Sequence, residues 1–266
     1  GNQRYTAGPY YFGAIICFLF ILGLLLAKNN STKWWLIITA VLALSLSMGK
    51  NSIILSDLFF KYFPFYSKFR TPTMFIGLAQ ILFATIGALG IRELIRKDSD
   101  ESRNKKMLNI AFYITGGLCL FIALLGPSVF PLTGSTDAQY KIEGQILEAF
   151  KSDRGEMMRN DAFRSLLFVS LAFGLLWAYT RKKLNLIGTF GIMALLIVVD
   201  LWSVDKRYVD KNTYKSKRNV TTESPATKAD QMILRDTAQS YRVFNMSLSA
   251  FNDATTSYYH KSIGGY

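Results

Sequence analysis

Histidine and cysteine are almost missing from this chain. His260 is the only histidine, and Cys17 and Cys119 are the only cysteines. A lone imidazole supplies no His-based metal site, so no metal and no cofactor are expected. Two thiols, each inside an apolar stretch, make neither a disulfide framework nor a metal-ligand spacing; there they behave as small hydrophobes. Charge is missing in a more informative way. Six stretches, 10–27, 34–49, 73–91, 107–126, 165–180 and 184–199, hold no Asp, Glu, Lys or Arg at all. Helices of a soluble domain need a polar face, and these have none. A simple soluble enzyme and a disordered chain are thereby excluded.

What is present fits a membrane. About 20 apolar residues cross a hydrocarbon core, and the shorter runs reach that length with their flanks. In lipid the backbone must satisfy itself, so each run is expected to be a helix. The expected fold is all-α: a polytopic transmembrane bundle of about six spans over 1–202, followed by the start of a truncated extracytoplasmic α/β domain over 203–266. The chain opens on Gly1-Asn2-Gln3-Arg4 without a signal-peptide pattern, and closes on Ile263-Gly264-Gly265-Tyr266. It is read as an internal piece of a longer protein.

The basic residues set the orientation. The short loops 28–33, 92–106 and 180–183 carry Lys28, Lys33, Arg92, Arg96, Lys97, Arg103, Lys105, Lys106, Arg181, Lys182 and Lys183. The long loops 50–72 and 127–164 are far sparser in Lys and Arg. The positive-inside rule therefore puts the short loops in the cytoplasm and the C-terminal tail outside. Tyr10, Tyr11, Phe12, Trp34, Trp35, Trp177, Tyr179 and Trp202 mark span ends, where such rings favour the headgroup level. The formal net charge of +13 would suggest nucleic acid in a soluble protein. Here it is spread over loops that face anionic lipid, and no nucleic-acid partner is expected.

Within the spans, Gly87, Ala88 and Gly90, or Gly116-Gly117, suit close helix approach, and Gln80 suits a hydrogen bond to a neighbouring helix. Asp200 is expected at the water interface. Residues 50–72 are aromatic yet charged, which fits an interfacial or re-entrant segment. Its Lys61, Lys68 and Arg70 read either as snorkelling anchors or as contacts to the phosphate of a lipid or lipid-linked sugar, a role suited to the guanidinium fork. The stretch 137–163 has helical spacing and is expected as one or two surface helices, its carboxylates solvated. In the tail, Ala226–Arg235 is expected to be helical and Tyr241–Met246 a strand. His260 and Lys261 are a possible outer-domain site, with a structural role the alternative. No catalytic residue is assigned.

Several segments carry a resemblance: Arg4 to Gly13 (RYTAGPYYFG), Met48-Gly49-Lys50-Asn51, Lys68-Phe69-Arg70-Thr71-Pro72, Tyr241-Arg242-Val243, and Ser257 to Tyr266 (SYYHKSIGGY). Together they resemble the YfhO-like bacterial multi-pass membrane proteins in their Bacteroidetes form, over essentially the whole chain. That resemblance implies a place in the glycosyltransferase-C-like group of cell-envelope enzymes. These take a sugar from a polyprenyl-phosphate donor to a glycan acceptor on the outer face of the cytoplasmic membrane. It also implies that the key acid lies in an early outer loop, so Asp57 does not inherit that role. The expected function is thus the distal membrane half of such a transferase, with membrane lipids as partners. The alternatives are a transporter or flippase for a lipid-linked substrate, or a non-catalytic scaffold.

Overall fold

The computed structural model describes residues 10–49, 53–66, 72–96, 98, 100–134, 137, 143–209, 214, 225–236, 240–249 and 254–263. The chain divides into two compact units, Gly1–Tyr208 and Val209–Tyr266. The first is all-helical among its described residues. Its helices are α1 (Ala14–Leu26), α2 (Ser31–Ser47), α3 (Ile53–Tyr62), α4 (Phe75–Ile95), α5 (Glu101–Val129), α6 (Gly144–Thr180) and α7 (Leu186–Asp205). Each uncharged run falls on one of them.

Four of these helices are long and apolar enough to cross a membrane: Pro72–Ile95 (α4 with its leading 3-10 turn), α5, α6 and α7. Only 22% to 33% of their most apolar windows is buried inside the protein. Side chains such as Ile81, Leu118, Leu124, Leu195 and Val198 face outward. A monomeric soluble protein does not leave apolar surface on that scale in water, so the bundle is built for lipid. The two remaining apolar helices, α1 and α2, are shorter, at 13 and 17 residues.

The short helix α1 is the core of the bundle. Ile15, Phe18 and Leu22 are fully buried, and α1 packs against α4, α5, α6 and α7. Its approach to α4 is the tightest. A Cβ at Gly90 would lie 2.6 Å from Gly23 Cα, and one at Gly23 would lie 2.1 Å from the Ile86 carbonyl oxygen. With no side chain at either position the two parallel helices touch backbone to backbone, the arrangement that small residues allow in membranes. Gln80 Nε2 donates to the Tyr11 carbonyl oxygen at 3.0 Å, and the rings of Phe20 and Phe83 stack at 3.8 Å. The expected close approach is thus made by Gly87 and Gly90. At Gly116 a Cβ would meet Leu166 at an ordinary 3.5 Å, and Gly117 faces open space.

One expectation fails in an instructive way. The stretch 137–163 does not form separate surface helices. From Gly144 it is continuous with the fifth uncharged run in α6, 37 residues long. At 1.5 Å per residue α6 reaches about 55 Å, well beyond a hydrocarbon core of about 30 Å. Gly155 does not break it, because Pro127 and Leu132 pack against it at that point.

In the second unit, α8 (Lys228–Ile233) begins with a capping box between Thr227 and Asp230. The expected strand Tyr241–Met246 is reduced to a single parallel bridge, Val243 to Ser262, and no longer strand occurs among the described residues. Its two hydrogen bonds, Val243 N–H to the Lys261 carbonyl and Ile263 N–H to the Val243 carbonyl, hold one crossing rather than a ladder.

The backbone contact at Gly23 and Gly90 predicts a sharp size limit. Gly90→Val should cost several kcal/mol, above the usual range of about 1–3 kcal/mol for overpacking, because backbone rather than side chain must yield. Gly77→Ala, in the same helix but with nothing within 4 Å, should be neutral or slightly stabilising. Thermal unfolding of the detergent-solubilised protein separates the two outcomes.

Candidate functional site

A buried polar cluster gathers where α1 begins. Gly13 precedes α1 with φ of +88°, a backbone conformation that favours glycine, and provides no side chain to cap the helix. The cap comes from α7 instead. Asp200, only 1% exposed, accepts from the Ala14 N–H at 2.8 Å through Oδ2, and from the Tyr11 hydroxyl at 2.7 Å through Oδ1. Free N–H groups at a helix start favour an anion, which explains why a carboxylate is tolerated there.

A cation from a third helix balances it. Arg164 of α6 donates from Nη2 to the Tyr11 hydroxyl at 2.9 Å, and the same nitrogen lies 3.6 Å from Asp200 Oδ1. Its Nη1 donates to the Asp200 carbonyl oxygen at 3.3 Å and to the Ser203 hydroxyl. The guanidinium also lies 5.2 Å from the centre of the Tyr11 ring. One turn earlier on α6, Asp161 pairs with Arg207 at 2.6 Å, joining α6 to the turn after α7.

Chemically this cluster is a clamp. The Asp200 oxygens and the Arg164 fork are occupied by protein partners, so neither group is presented to a substrate as an acid, a base or a nucleophile. The burial shows that protein partners enclose Asp200, a role between helices that its reading as an interface residue did not include. The cluster was hidden because each member lies at the edge of an uncharged run, where an interfacial residue would also lie. The one available hint was that Asp200 follows the run 184–199 directly, before the terminal Trp202.

A second ion pair organises the segment between α5 and α6. Arg154 grips Asp137 with both terminal nitrogens, at 2.6 and 2.7 Å, and also donates to the Leu132 carbonyl at 2.8 Å. The Gly134 N–H donates to the same carboxylate at 2.6 Å. The Arg154 hydrogen bonds, and then that backbone N–H, hold the Asp137 carboxyl down at about 2.

Of the candidate site residues named from sequence, none that the structure describes, Lys61, His260 or Lys261, is a member of these clusters. Lys61 is exposed on α3, beside the outward-facing Phe60, Tyr62 and Phe63. Lys68 and Arg70 lie outside the described residues. In the second unit the His260 side chain is fully enclosed, with Nε2 3.0 Å from Asp230 Oδ1, whereas Lys261 is exposed. Hydrogen bonds from Thr227, ahead of His260, draw the Asp230 carboxyl below the ordinary range. Among the described residues no group of three or more His, Cys, Asp and Glu side chains is placed to hold a metal ion. Compared with protein families, curated proteins and solved structures, the chain matches none of them.

The clamp can be tested by breaking it from one side. Asp200→Ala leaves the half-buried Arg164 with only the more distant Asp161, at 3.9 Å, and the start of α1 uncapped, and should destabilise the bundle by about 3 kcal/mol. Replacing both partners, Asp200→Leu with Arg164→Met, should recover a large part of that loss. Unfolding midpoints of the two variants in detergent are the measurement. A double variant no more stable than Asp200→Ala would mean that the loss does not come from an Arg164 left without Asp200.

Proposed function

We propose that this chain is the distal membrane half of a YfhO-like, polyprenyl-phosphate-dependent glycosyltransferase acting on the outer face of the bacterial cytoplasmic membrane. The observation that carries the membrane part is the set of four long helices whose apolar flanks are left for lipid. The finer parts are supported by the sequence segments that resemble the YfhO-like proteins. In this reading α1 and α2 are two further spans, giving six, and 203–266 opens an extracytoplasmic α/β domain.

The reaction would join an acceptor hydroxyl of an envelope glycan to the anomeric carbon of the donor sugar. The bond from that carbon to the phosphate oxygen breaks, a carboxylate takes the hydroxyl proton, and polyprenyl phosphate leaves. The cations on and after α3 suit the leaving phosphate: Arg70 as a fork, Lys68 and Lys61 as point charges. The carboxylate is not assigned to any residue here, since the acids of the α1, α6 and α7 cluster are already paired. The chain's own contribution is scaffold, donor-phosphate contact and exclusion of water from the lipid-linked donor.

Transfer of a labelled sugar from polyprenyl-phosphate donors by the full-length protein tests the enzymatic reading. Product should form, and Arg70→Ala should reduce it by about tenfold or more through loss of charge stabilisation. A folded protein that transfers from no donor overturns the reading in favour of transport or scaffolding. Orientation has its own test, with Cys17 and Cys119 first replaced by Ala. Ser152→Cys in α6 should react with an impermeant maleimide in intact cells, and Ser102→Cys in α5 only after permeabilisation. The reverse pattern would overturn the assignment of sides.

A further inference from the structure

At the end of the bundle away from the Asp200 clamp, the turns that follow α4 and α6 enclose a cleft of about 460 Å³. That volume is in the range of ligand-sized sites. Its cationic lining is Arg96, Lys105 and Lys182, from three separate chain segments, and the one carboxylate lining it is Glu101. Glu101 is shared by Lys105 at 3.4 Å and Lys182 at 3.7 Å. Arg96 lies 3.6 Å from Glu93 on the rim of a neighbouring cleft. Among the described residues that line the cleft, three cations thus face one carboxylate. Asn104 and Tyr179 supply neutral hydrogen-bonding groups beside it.

The remaining walls are apolar. Leu94, Ile95 and Leu186 line the cleft, and Leu186 leads directly to Ile187, which is 84% exposed on the outward face of α7. Next to the opening, Arg181 lies 4.6 Å over the ring of Trp177 and Lys183 lies 5.9 Å from it, a pairing typical of headgroup depth. A cationic cleft running into a lipid-facing apolar surface suits an amphiphile better than a free ion.

We propose that this cleft binds the phosphodiester headgroup of an anionic phospholipid, with its acyl chains lying along α7. Arg96 turns from its present partners to give its guanidinium fork to two phosphate oxygens, and Lys105 and Lys182 turn from Glu101 toward the same group. Basic pockets between membrane helices hold anionic headgroups in this way. The proposal goes beyond sugar transfer and stands whether or not the protein is an enzyme.

The test uses the purified chain in detergent, with native mass spectrometry reading retained lipid. Phosphatidylglycerol should be retained in preference to phosphatidylcholine, and retention should fall with added salt. Arg96→Gln, Lys105→Gln and Lys182→Gln together should weaken phosphatidylglycerol retention by about tenfold or more. Lys28→Gln, Arg92→Gln and Lys106→Gln remove the same charge from the same end but outside the cleft, and should change it by no more than about twofold. Equal losses in the two triple variants, or equal retention of the two lipids by the unaltered protein, would overturn the proposal. Displacement of the lipid by millimolar inorganic phosphate would also overturn it, because the site would then recognise the ion without the chains. Should the cleft variant fail to fold, the lipid preference and salt dependence of the unaltered protein still decide.

Discussion

A short helix packed among longer ones leaves polar backbone groups at both of its ends, and the bundle is arranged around satisfying them. At 13 residues and about 20 Å, α1 ends before a hydrocarbon core of about 30 Å does. Its first N–H groups and last carbonyls would be orphans in lipid, each at a cost of several kcal/mol. Asp200 of α7 accepts at the first end, through the Ala14 N–H. At the second end Lys33 of α2 donates from Nζ to the carbonyls of Leu24, at 2.6 Å, and Ala27, at 3.3 Å. The charges match the helix dipole at both ends: anion at the start, cation at the finish.

Those two side chains determine much of the remaining architecture. A carboxylate buried at Asp200 requires a cation, so Arg164 fixes where α6 lies, and the Tyr11 hydroxyl between them fixes the segment before α1. Gln80 binds the carbonyl of that same Tyr11, which sets α4 in register beside α1 and aligns Gly90 with Gly23. The glycine contact and the ion pair are therefore parts of one arrangement. A shift of α1 along its axis would break its cap and drive backbone into backbone together. That shared dependence gives a bundle with few interhelical polar contacts a single register.

How much of this was legible in the sequence depended on the range of the signal. Uncharged runs are local, and all six coincide with helices. Gly87, Gly90 and Gln80 were legible because small or amide side chains inside a membrane helix have few other uses. The continuity of α6 was not legible, since its first half is as charged as a surface helix, and only the unbroken helix from Gly144 to Thr180 joins it to the apolar half. The Asp200–Arg164 pair was the least visible. Its members lie 36 residues apart, each at the edge of a run, and one-dimensional charge patterning gives an edge residue the meaning of a boundary. A strand at 241–246 was suggested by composition, but a strand needs partners along its length, and the described residues supply one bridge.

The net charge of +13 with which such a chain attracts notice is divided by this arrangement into two kinds of cation. At the end where α1 begins, Arg154, Arg164 and Arg207 are each matched to a carboxylate, Asp137, Asp200 and Asp161. All three are arginines, whose fork can meet several acceptors at once in a partly dry setting. At the opposite end most cations are exposed lysines and arginines, and the carboxylates there, such as Glu101 and Glu93, are shared or marginally placed. Charges used to join helices are neutralised by the fold and contribute little field outside it. Charges held at the surface attract anionic headgroups within about a Debye length. In the proposed reading the exposed cations both orient the chain by the positive-inside rule and supply the cleft at Arg96, Lys105 and Lys182. The arginine pairs at the first end instead join α6 to α7, to the turn after it and to the segment after α5.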